Sequence, residues 1–188
     1  MISELSLASS MMRYSIHSLA WLLFISRAVA AEVAYRPYQT GDDFKLLERA
    51  RASDCDPPES GSCIVGVENA TKTVVAVVQM TIPAMRITKE IEDAIKARMP
   101  EPSKKIKDGI IGYIDYVEVA ASQRGKGIGK TILSATFGHL REAHPKLAAM
   151  FLFVFEDNVR AKALYEKSKF VEVLDFGLVI YYARYDFS

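Results

Sequence analysis

One stretch constrains this chain most, because an apolar strand pattern in it passes through a glycine-rich turn directly into a helical pattern. It runs from Tyr116 to Lys130 and reads YVEVAASQRGKGIGK. Glycines let the backbone approach an anion closely, and the first N–H groups of a helix have no partner within the helix. Because the positive end of the helix dipole lies behind these groups, the turn predicts a phosphate site. Arg124 and Lys126 add positive charge at its mouth.

The spacing of the glycines separates three kinds of phosphate loop. The dinucleotide fingerprint G-x-G-x-x-G, begun at Gly125, needs a glycine where Lys130 stands. The nucleotide-binding loop G-x-x-x-x-G-K-[ST] matches at positions 129–131, but its opening glycine falls on Arg124. Too few residues follow Thr131 to complete a parallel nucleotide-binding sheet. Each of these two patterns therefore fits only with a mismatch.

A third pattern, R/Q-x-x-G-x-G/A, is filled without a mismatch by Arg124, Gly127 and Gly129. The segment resembles the acyl-CoA pyrophosphate loop of the GNAT superfamily of N-acyltransferases. A second segment, 158–170, is similar to the GNAT sequence N-x-x-A-x-x-L-Y-x-x-x-G-F. It departs from that sequence at Lys169, where the family usually has glycine. If the backbone is left-handed there, a residue other than glycine costs roughly 1–2 kcal/mol.

The resemblance covers the chain from about Val33 to its end and implies both a fold and an activity. The implied fold is a single α/β (α+β) domain with a central mixed, mostly antiparallel sheet of about six to seven strands. Helices flank both faces of the sheet, which splays at the acetyl-CoA site. The implied activity is acetyl transfer from acetyl-CoA to an amine, by direct attack through a tetrahedral intermediate. Acetyl-CoA would lie between the strands that end at Val119 and Phe155.

The resemblance also implies which residues act. Backbone groups of Val117 and Val119 would hold the pantetheine arm. Tyr165 lies two helical turns after Asn158 and therefore shares its helix face. Its phenol would donate a proton to the leaving thiolate. Taken by itself, Tyr165 is typical of a half-buried core aromatic residue. The residues expected to bind the co-substrate are Val117, Val119, Arg124, Gly125, Lys126, Gly127, Ile128, Gly129, Lys130 and Asn158.

A base must take the proton of the attacking amine. Alternation along the strand places Glu118 opposite Val117 and Val119, with Asp115 on the face of the two valines. Glu118 is the candidate base, and a solvent-facing carboxylate is the equally weighted alternative.

The remaining elements follow from hydrophobic periodicity, breakers and caps. The predicted strands are Val33 to Tyr38, Cys63 to Glu68, Thr73 to Pro83, Gly109 to Val119, Leu147 to Phe155, Phe170 to Leu174 and Leu178 to Phe187. The predicted helices are Gly41 to about Ala52, Thr88 to Met99, Gly127 to His144 and Asn158 to Ser168. In the first of these, Phe44, Leu47 and Ala50 recur at helical spacing, and Leu46 widens the apolar face. The helix at 88–99 should pack its apolar face on the sheet, a basic loop should follow at 103–108, and the strand at 147–155 should be buried on both faces.

Residues 1–31 differ from the domain that we assign to 32–188. An apolar run from Leu19 to Ile25 and the sequence Ala-Val-Ala at 28–30 resemble a secretory signal. An extra amphipathic helix and an upstream start codon are the alternatives. Because acetyl-CoA is a cytosolic metabolite, we expect a cytoplasmic protein, with no membrane partner unless this stretch anchors it.

Composition limits the other partners. The net charge of +1 gives no field that would attract nucleic acid. Three scattered histidines predict no metal site, and Cys55 and Cys63 are expected to be free thiols rather than a disulfide. An exposed edge of the closing strands, with Tyr181, Tyr182 and Tyr185, could pair with a second copy as a homodimer.

Three functions stay open on the sequence alone. The first is acetyl transfer to a small-molecule or peptide amine, whose identity the sequence does not give. The second is a non-catalytic acyl-CoA-binding module on the same fold, which would not need Glu118 or Tyr165. The third, disfavoured by the mismatch at Arg124, is a P-loop-type nucleotide-binding protein.

Overall fold

A sheet of seven strands forms the centre of the domain in the computed structural model, which describes residues 32–56 and 62–185. The strands are β1 (Val33–Pro37), β2 (Ser62–Glu68), β3 (Thr73–Thr81), β4 (Ile110–Val119), β5 (Leu147–Phe155), β6 (Val171–Asp175) and β7 (Val179–Arg184). The α-helices within these residues are α1 (Lys89–Arg98), α2 (Glu101–Lys104), α3 (Ile128–Ala143) and α4 (Val159–Lys167). The predicted N-terminal extension, 1–31, lies outside the described residues. No helix in the described part of the chain has the length and apolar character needed to cross a membrane.

The sheet is open between two of its central strands. Its order is β1-β2-β3-β4-β5-β7-β6, and every neighbouring pair is antiparallel except β4 with β5. These two strands pair only up to Tyr113 on β4 and Phe151 on β5. Both continue beyond that point, to Val119 and Phe155, without pairing to each other. The predicted fold class, a mixed and mostly antiparallel sheet that is splayed at one point, is confirmed.

Helices cover both sides of the sheet. On one side, here the α3 face, Ile132, Leu133 and Phe137 of α3 are buried in a core with residues of β3, β4 and β5. On the opposite side, the α1 face, Ile91 and Ile95 of α1 pack against β5, β6 and β7. The predicted packing of the helix at 88–99 on the sheet is confirmed.

The helix predicted from Gly41 to Ala52 is absent, and the segment is an irregular loop that ends in a 3-10 helix, Ala52–Asp54. Phe44, Leu47 and Ala50 are nevertheless buried, as their helical spacing predicted, whereas Leu46, expected on the same apolar face, is 39% exposed. The backbone N–H groups of residues 48–50 donate to a side chain of β4 instead of to helical carbonyls. Long-range hydrogen bonds thus replace the local ones. The pattern predicted burial correctly for three of its four apolar residues, but it predicted the backbone conformation incorrectly.

The predicted basic loop at 103–108 is also partly wrong, because α2 begins directly after Pro100. A proline is tolerated in the first turn of a helix, where its missing N–H would have no partner in any case. Pro102 therefore lies in the first turn of α2 and does not end a helix.

Cys55 and Cys63 form a disulfide, which corrects the prediction of two free thiols. Their Cα atoms lie 5.5 Å apart, and both side chains are buried. The sequence did not reveal this because the distance depends on how the loop 38–56 folds back onto the start of β2. The bond fixes the end of that loop to the sheet.

The closing strands are arranged differently from the prediction. β7, which carries Tyr181 and Tyr182, lies between β5 and β6, so β6 forms the sheet edge. Tyr182 and Tyr185 are buried. The prediction of pairing with a second copy assumed that these tyrosines lie along an exposed sheet edge. That assumption is wrong, because β7 is an inner strand.

Candidate functional site

The part of β4 that no longer pairs with β5 borders the opening in the sheet. The N–H of Ala120 donates to the carbonyl of Val75 on β3 at 2.9 Å. Because backbone groups along a strand alternate in direction, Val117 and Val119 direct their N–H and C=O groups away from β3, toward β5. This is the direction that backbone hydrogen bonding to a ligand between β4 and β5 requires.

The glycine-rich turn leads from β4 into α3 with two left-handed residues. Gly125 and Gly127 both have φ +80°, a conformation that is strained for any residue with a side chain. No heavy atom lies within 4 Å of the position that a Cβ would take at either glycine, so the space in front of the turn is open. The helical pattern begins with the N–H of Thr131, which donates to the carbonyl of Gly127 at 3.1 Å. The N–H groups of residues 128–130 consequently have no acceptor within the helix, as an anion site needs.

The third glycine of the motif joins the turn to the second motif. A Cβ on Gly129 would lie 3.2 Å from Cδ2 of Leu164, which is tighter than ordinary contact. A side chain at this position would require Leu164 to shift by a few tenths of an ångström, so the glycine favours the close approach of α3 and α4. Since Leu164 immediately precedes Tyr165, the packing fixes the phosphate turn and the tyrosine relative to each other.

The cations of the turn have partners that the sequence did not indicate. Nε of Arg124 donates to the carbonyl of Val119 at 3.0 Å, and its guanidinium lies 3.6 Å from the carboxylate of Glu48. Lys126 donates to a glutamine side chain of the preceding 3-10 helix at 2.8 Å, and Lys130 is exposed on the first turn of α3. Arg124 thereby ties the turn to β4, and all three cations belong to the turn or to the first turn of α3.

Asn158 caps α4. Its Oδ1 accepts the N–H of Ala161 at 3.1 Å, and the rest of the residue is exposed. This gives Asn158 a defined structural role, whereas its predicted contact with the co-substrate stays a prediction.

Tyr165 lies in the last turns of α4 and is 8% exposed. Its ring lies 5.6 Å from that of Phe170, and Val117 and Val119 of β4 pack against the same core cluster. Burial raises the pKa of Tyr165 to about 12. Its phenol is therefore protonated at neutral pH and able to donate.

A bulge in β4 at Asp115 interrupts the alternation of the strand. Ile114 pairs with Met80 and Tyr116 with Gln79, so two neighbouring residues of β3 face three of β4. The carboxylate of Asp115 accepts the hydroxyl of Thr81 at 2.9 Å. The prediction that Asp115 shares a face with Val117 and Val119 is wrong, because the extra residue directs it to the α1 face.

Asp115 belongs to a group of titratable side chains near the opening. Burial outweighs the hydrogen bond from Thr81 and raises the pKa of Asp115 above its ordinary value. Burial, together with the nearby Asp115, Tyr181 and Tyr165, raises the pKa of Tyr113 to about 12. The sequence analysis placed Asp115 on the face of Val117 and Val119, gave it no catalytic role and missed Tyr113, because neither the bulge nor the spatial grouping has a signal in the strand pattern.

Glu118 holds the loop 38–56 onto the sheet. It is 7% exposed, and its two carboxylate oxygens accept the N–H groups of Glu48 at 2.6 Å, Arg49 at 3.2 Å and Ala50 at 2.8 Å. The same loop is held by Gln79, which donates to the carbonyl of Asp54 at 3.1 Å. These contacts favour a structural role for Glu118 over the base role predicted from the sequence.

Lys169 occupies the position where glycine was expected, and its φ is +64°. The backbone is therefore left-handed at this position, and the cost of roughly 1–2 kcal/mol expected for a residue other than glycine applies to Lys169. Among residues 32–56 and 62–185, no group of three or more histidine, cysteine, aspartate or glutamate side chains is placed to hold a metal ion.

Comparison with known sequences agrees with this geometry. Residues 28–170 match the Acetyltransferase (GNAT) family. Spermine/spermidine N(1)-acetyltransferase of Bacillus subtilis (strain 168) is 32% identical over 77 residues, which are 41% of this chain and 49% of the relative. The chain thus matches about half the length of this curated relative.

Solved structures share the fold at low identity. NAA60 of Arabidopsis thaliana, solved with acetyl-CoA, has a TM-score of 0.60 and 16% identity, covering 82% of this chain and 98% of that one. The ribosomal-protein-S18-alanine N-acetyltransferase of Escherichia coli has a TM-score of 0.53 and 14% identity, covering 82% and 94%. Because the family match spans most of the domain that carries the splayed sheet and the glycine turn, the chain belongs to the acetyltransferase (GNAT) family.

Proposed function

We propose that this protein transfers the acetyl group of acetyl-CoA to a primary amine. The observation that carries the proposal is the position of three features around one opening. The backbone groups of β4 face the gap between β4 and β5, the free N–H groups of α3 lie at one end of it, and α4 with Tyr165 packs directly against α3. Family membership supports the same reaction class.

The residues around the opening fit acetyl-CoA. The left-handed turn at Gly125 and Gly127 leaves open the space that side chains would occupy, and the exposed N–H groups suit a pyrophosphate. Arg124, Lys126 and Lys130 would add cations, and Val117 and Val119 would hold the pantetheine amides. When bound there, acetyl-CoA supplies an activated acetyl thioester, from which the acceptor amine takes the acetyl group as the C–S bond breaks and a C–N bond forms.

Tyr165 would act as the acid. Its phenol is buried and protonated at neutral pH, since burial raises its pKa to about 12. A protonated phenol donates to the departing thiolate sulfur, which takes the proton as the free thiol. A proton donor at this point is worth typically 10²–10⁴ in rate.

Asp115 is a better-placed base than Glu118. One oxygen of its carboxylate accepts the hydroxyl of Thr81, whereas both oxygens of Glu118 accept backbone N–H groups. Burial raises the pKa of Asp115, which makes its carboxylate a stronger base than that of an ordinary aspartate. We therefore assign to Asp115, directly or through water, the removal of the proton from the acceptor ammonium, and to Glu118 the positioning of the loop.

The two other functions left open by the sequence are less well supported. A parallel nucleotide-binding sheet is incompatible with this topology, in which one neighbouring pair out of six is parallel. A non-catalytic acyl-CoA-binding module would have the same phosphate turn, but it would not need a buried protonated phenol and a carboxylate near the same opening.

Calorimetric titration of the full chain with acetyl-CoA and with ATP–Mg²⁺ tests the binding half of the proposal. We expect acetyl-CoA to bind and ATP–Mg²⁺ not to bind. Gly127→Ala should weaken acetyl-CoA binding at least tenfold, because φ at Gly127 is +80°. Gly138→Ala is the matched control, since a Cβ meets no atom at either position but residue 138 lies inside α3 with ordinary helical geometry.

Release of free thiol from acetyl-CoA, measured over a panel of amines, tests catalysis. An acetyl-CoA complex that transfers to no amine would favour the non-catalytic module. Binding of ATP–Mg²⁺ without acetyl-CoA would contradict the proposal altogether.

A further inference from the structure

The part of β5 that no longer pairs with β4 exposes aromatic side chains on one face. Leu152 and Val154 point to the α3 face and are buried, as the α3-side core requires. Phe153 and Phe155 alternate with them and are 41% and 58% exposed. The prediction that this strand is buried on both faces is therefore wrong for its last three residues.

The exposure begins where α1 stops covering the sheet. Ala149 and Phe151, earlier on β5, are buried beneath Ile91 and Ile95 of α1. Phe151 is 2% exposed, and the next residue on the same face, Phe153, is largely open. The uncovered part of the α1 face thus coincides with the splayed part of the sheet.

The exposed rings form a continuous surface with residues of the β6–β7 hairpin. Phe153 lies 5.9 Å from Phe155 and 6.0 Å from Tyr181, and Phe176 lies 5.9 Å from Tyr181. Phe176 is 51% exposed. These four residues, Phe153, Phe155, Phe176 and Tyr181, are the aromatic surface.

The aromatic surface connects to the candidate reaction centre. Tyr181 lies 6.5 Å from Phe151, which lies 4.9 Å from Tyr113. Tyr113 is close enough to Asp115 and Tyr165 for both to act on its titration. A row of rings therefore runs from the proposed acid and base to solvent.

We propose that the acceptor is a primary amine that carries an aryl or other large apolar group, and that this group packs on the aromatic surface while its nitrogen reaches Asp115. This proposal depends on the proposed acetyl transfer. Adjacent exposed aromatic rings on one face are typical of a binding surface. The contacts from Tyr181 through Phe151 to Tyr113 connect this surface to the candidate base, which favours the acceptor as its occupant. Aromatic rings also favour offset or edge-to-face contact with a second ring.

A polyamine, the class named for the curated relatives, is the competing acceptor. Its several positive charges are best matched by carboxylates, whereas the aromatic surface presents four uncharged rings. A cation can also bind over an aromatic face, so spermidine belongs in the test.

Steady-state acetylation by the full chain with acetyl-CoA tests the proposal. The acceptors are 2-phenylethylamine, propylamine and spermidine, together with two tripeptide amides that begin with Phe or with Gly. We expect kcat/KM for 2-phenylethylamine to exceed that for propylamine by roughly tenfold or more. Preference for the Phe peptide over 2-phenylethylamine would identify a peptide N-terminus as the source of the apolar group, and the reverse would identify a small arylalkylamine.

The double variant Phe153→Ala/Phe155→Ala tests whether the aromatic surface causes this preference. Both side chains are exposed, so folding should be retained, and the KM for acetyl-CoA monitors this. The ratio of kcat/KM for 2-phenylethylamine over propylamine should fall toward one. Val171→Ala removes an exposed apolar side chain at the start of the edge strand and should leave the ratio unchanged.

Three outcomes would overturn the proposal. They are a wild-type ratio near one, a higher kcat/KM for spermidine than for every apolar amine, or a ratio that survives the double variant. In each of these cases an amine is still acetylated, so the proposed function stands. Failure to acetylate any amine would instead contradict the proposed function, and this inference with it.

Discussion

Replacement of Glu118 by glutamine separates the two roles that a carboxylate on β4 can have. Glu118 accepts the N–H groups of Glu48, Arg49 and Ala50 through both oxygens while 7% exposed. Glutamine keeps the shape and one acceptor oxygen, but its NH₂ group cannot accept the N–H groups bound by the other oxygen.

The loss of stability expected for Glu118→Gln follows from hydrogen-bond energies. A hydrogen bond to a charged group contributes about 1.5–3 kcal/mol, and a buried donor left without an acceptor costs about 1–3 kcal/mol. Because these contributions overlap, we expect Glu118→Gln to lower the free energy of unfolding by roughly 3 kcal/mol. With a urea m-value of about 2 kcal/mol/M, the urea concentration at the midpoint of unfolding should fall by about 1.5 M.

Urea denaturation followed by far-UV circular dichroism measures this shift. Glu48→Gln is the matched control, since Glu48 lies in the same loop but its side chain is 64% exposed and 3.6 Å from Arg124. It should change stability by less than about 1 kcal/mol. Kinetically, a displaced loop should raise the acceptor KM of Glu118→Gln more than it lowers kcat. A wild-type urea midpoint combined with a kcat reduced a hundredfold or more would refute the loop role and restore Glu118 as the base.

Four further substitutions test the site and its supports. Tyr165→Phe should lower kcat by at least tenfold while the Kd of acetyl-CoA, from calorimetry, stays unchanged, because the lost hydroxyl acts on the leaving group; an unchanged kcat would exclude Tyr165 as the acid. For Asp115, the carboxylate form is the active one, so kcat/KM should rise with pH through its raised pKa, and Asp115→Asn should remove that step from the profile. Because the pKa of Tyr165 is about 12, the same profile should show no fall from its ionisation below roughly pH 10. Gly129→Val should reduce stability and acetyl-CoA affinity together, since its side chain would collide with Leu164, and a stable variant with normal affinity would contradict that packing. Lys169→Gly should raise the unfolding free energy by up to about 1 kcal/mol, because φ there is +64°; a loss of stability would mean that contacts of the lysine side chain outweigh backbone strain.

Local sequence determined the elements whose signals lie within a few residues. Thr88 accepts the N–H of Ile91 and Asn158 that of Ala161, so both helix starts were readable from caps alone. The glycine-rich turn before α3 was likewise visible in the sequence, and its left-handed residues are glycines because few other residues adopt that conformation without strain. These features depend on backbone sterics and short-range hydrogen bonds, which neighbouring residues fix.

Tertiary structure decided the features that depend on distant partners. The apolar spacing of Phe44, Leu47 and Ala50 predicted their burial, yet Glu118, far along the chain, supplies the acceptors that replace a helix there. The disulfide between Cys55 and Cys63 depends on the same folded loop.

The candidate base shows the difference most clearly. Strand alternation alone pointed to Glu118, but one additional residue in β4 turns Asp115 to the α1 face, beside Thr81 and near Tyr113. A bulge is set by how two strands pair and not by the sequence of either strand alone. The sequence therefore predicted the family and the glycine-rich turn, whereas the pairing of β3 with β4 decided which side of the sheet Asp115 faces, and hence which carboxylate is the better candidate for the base.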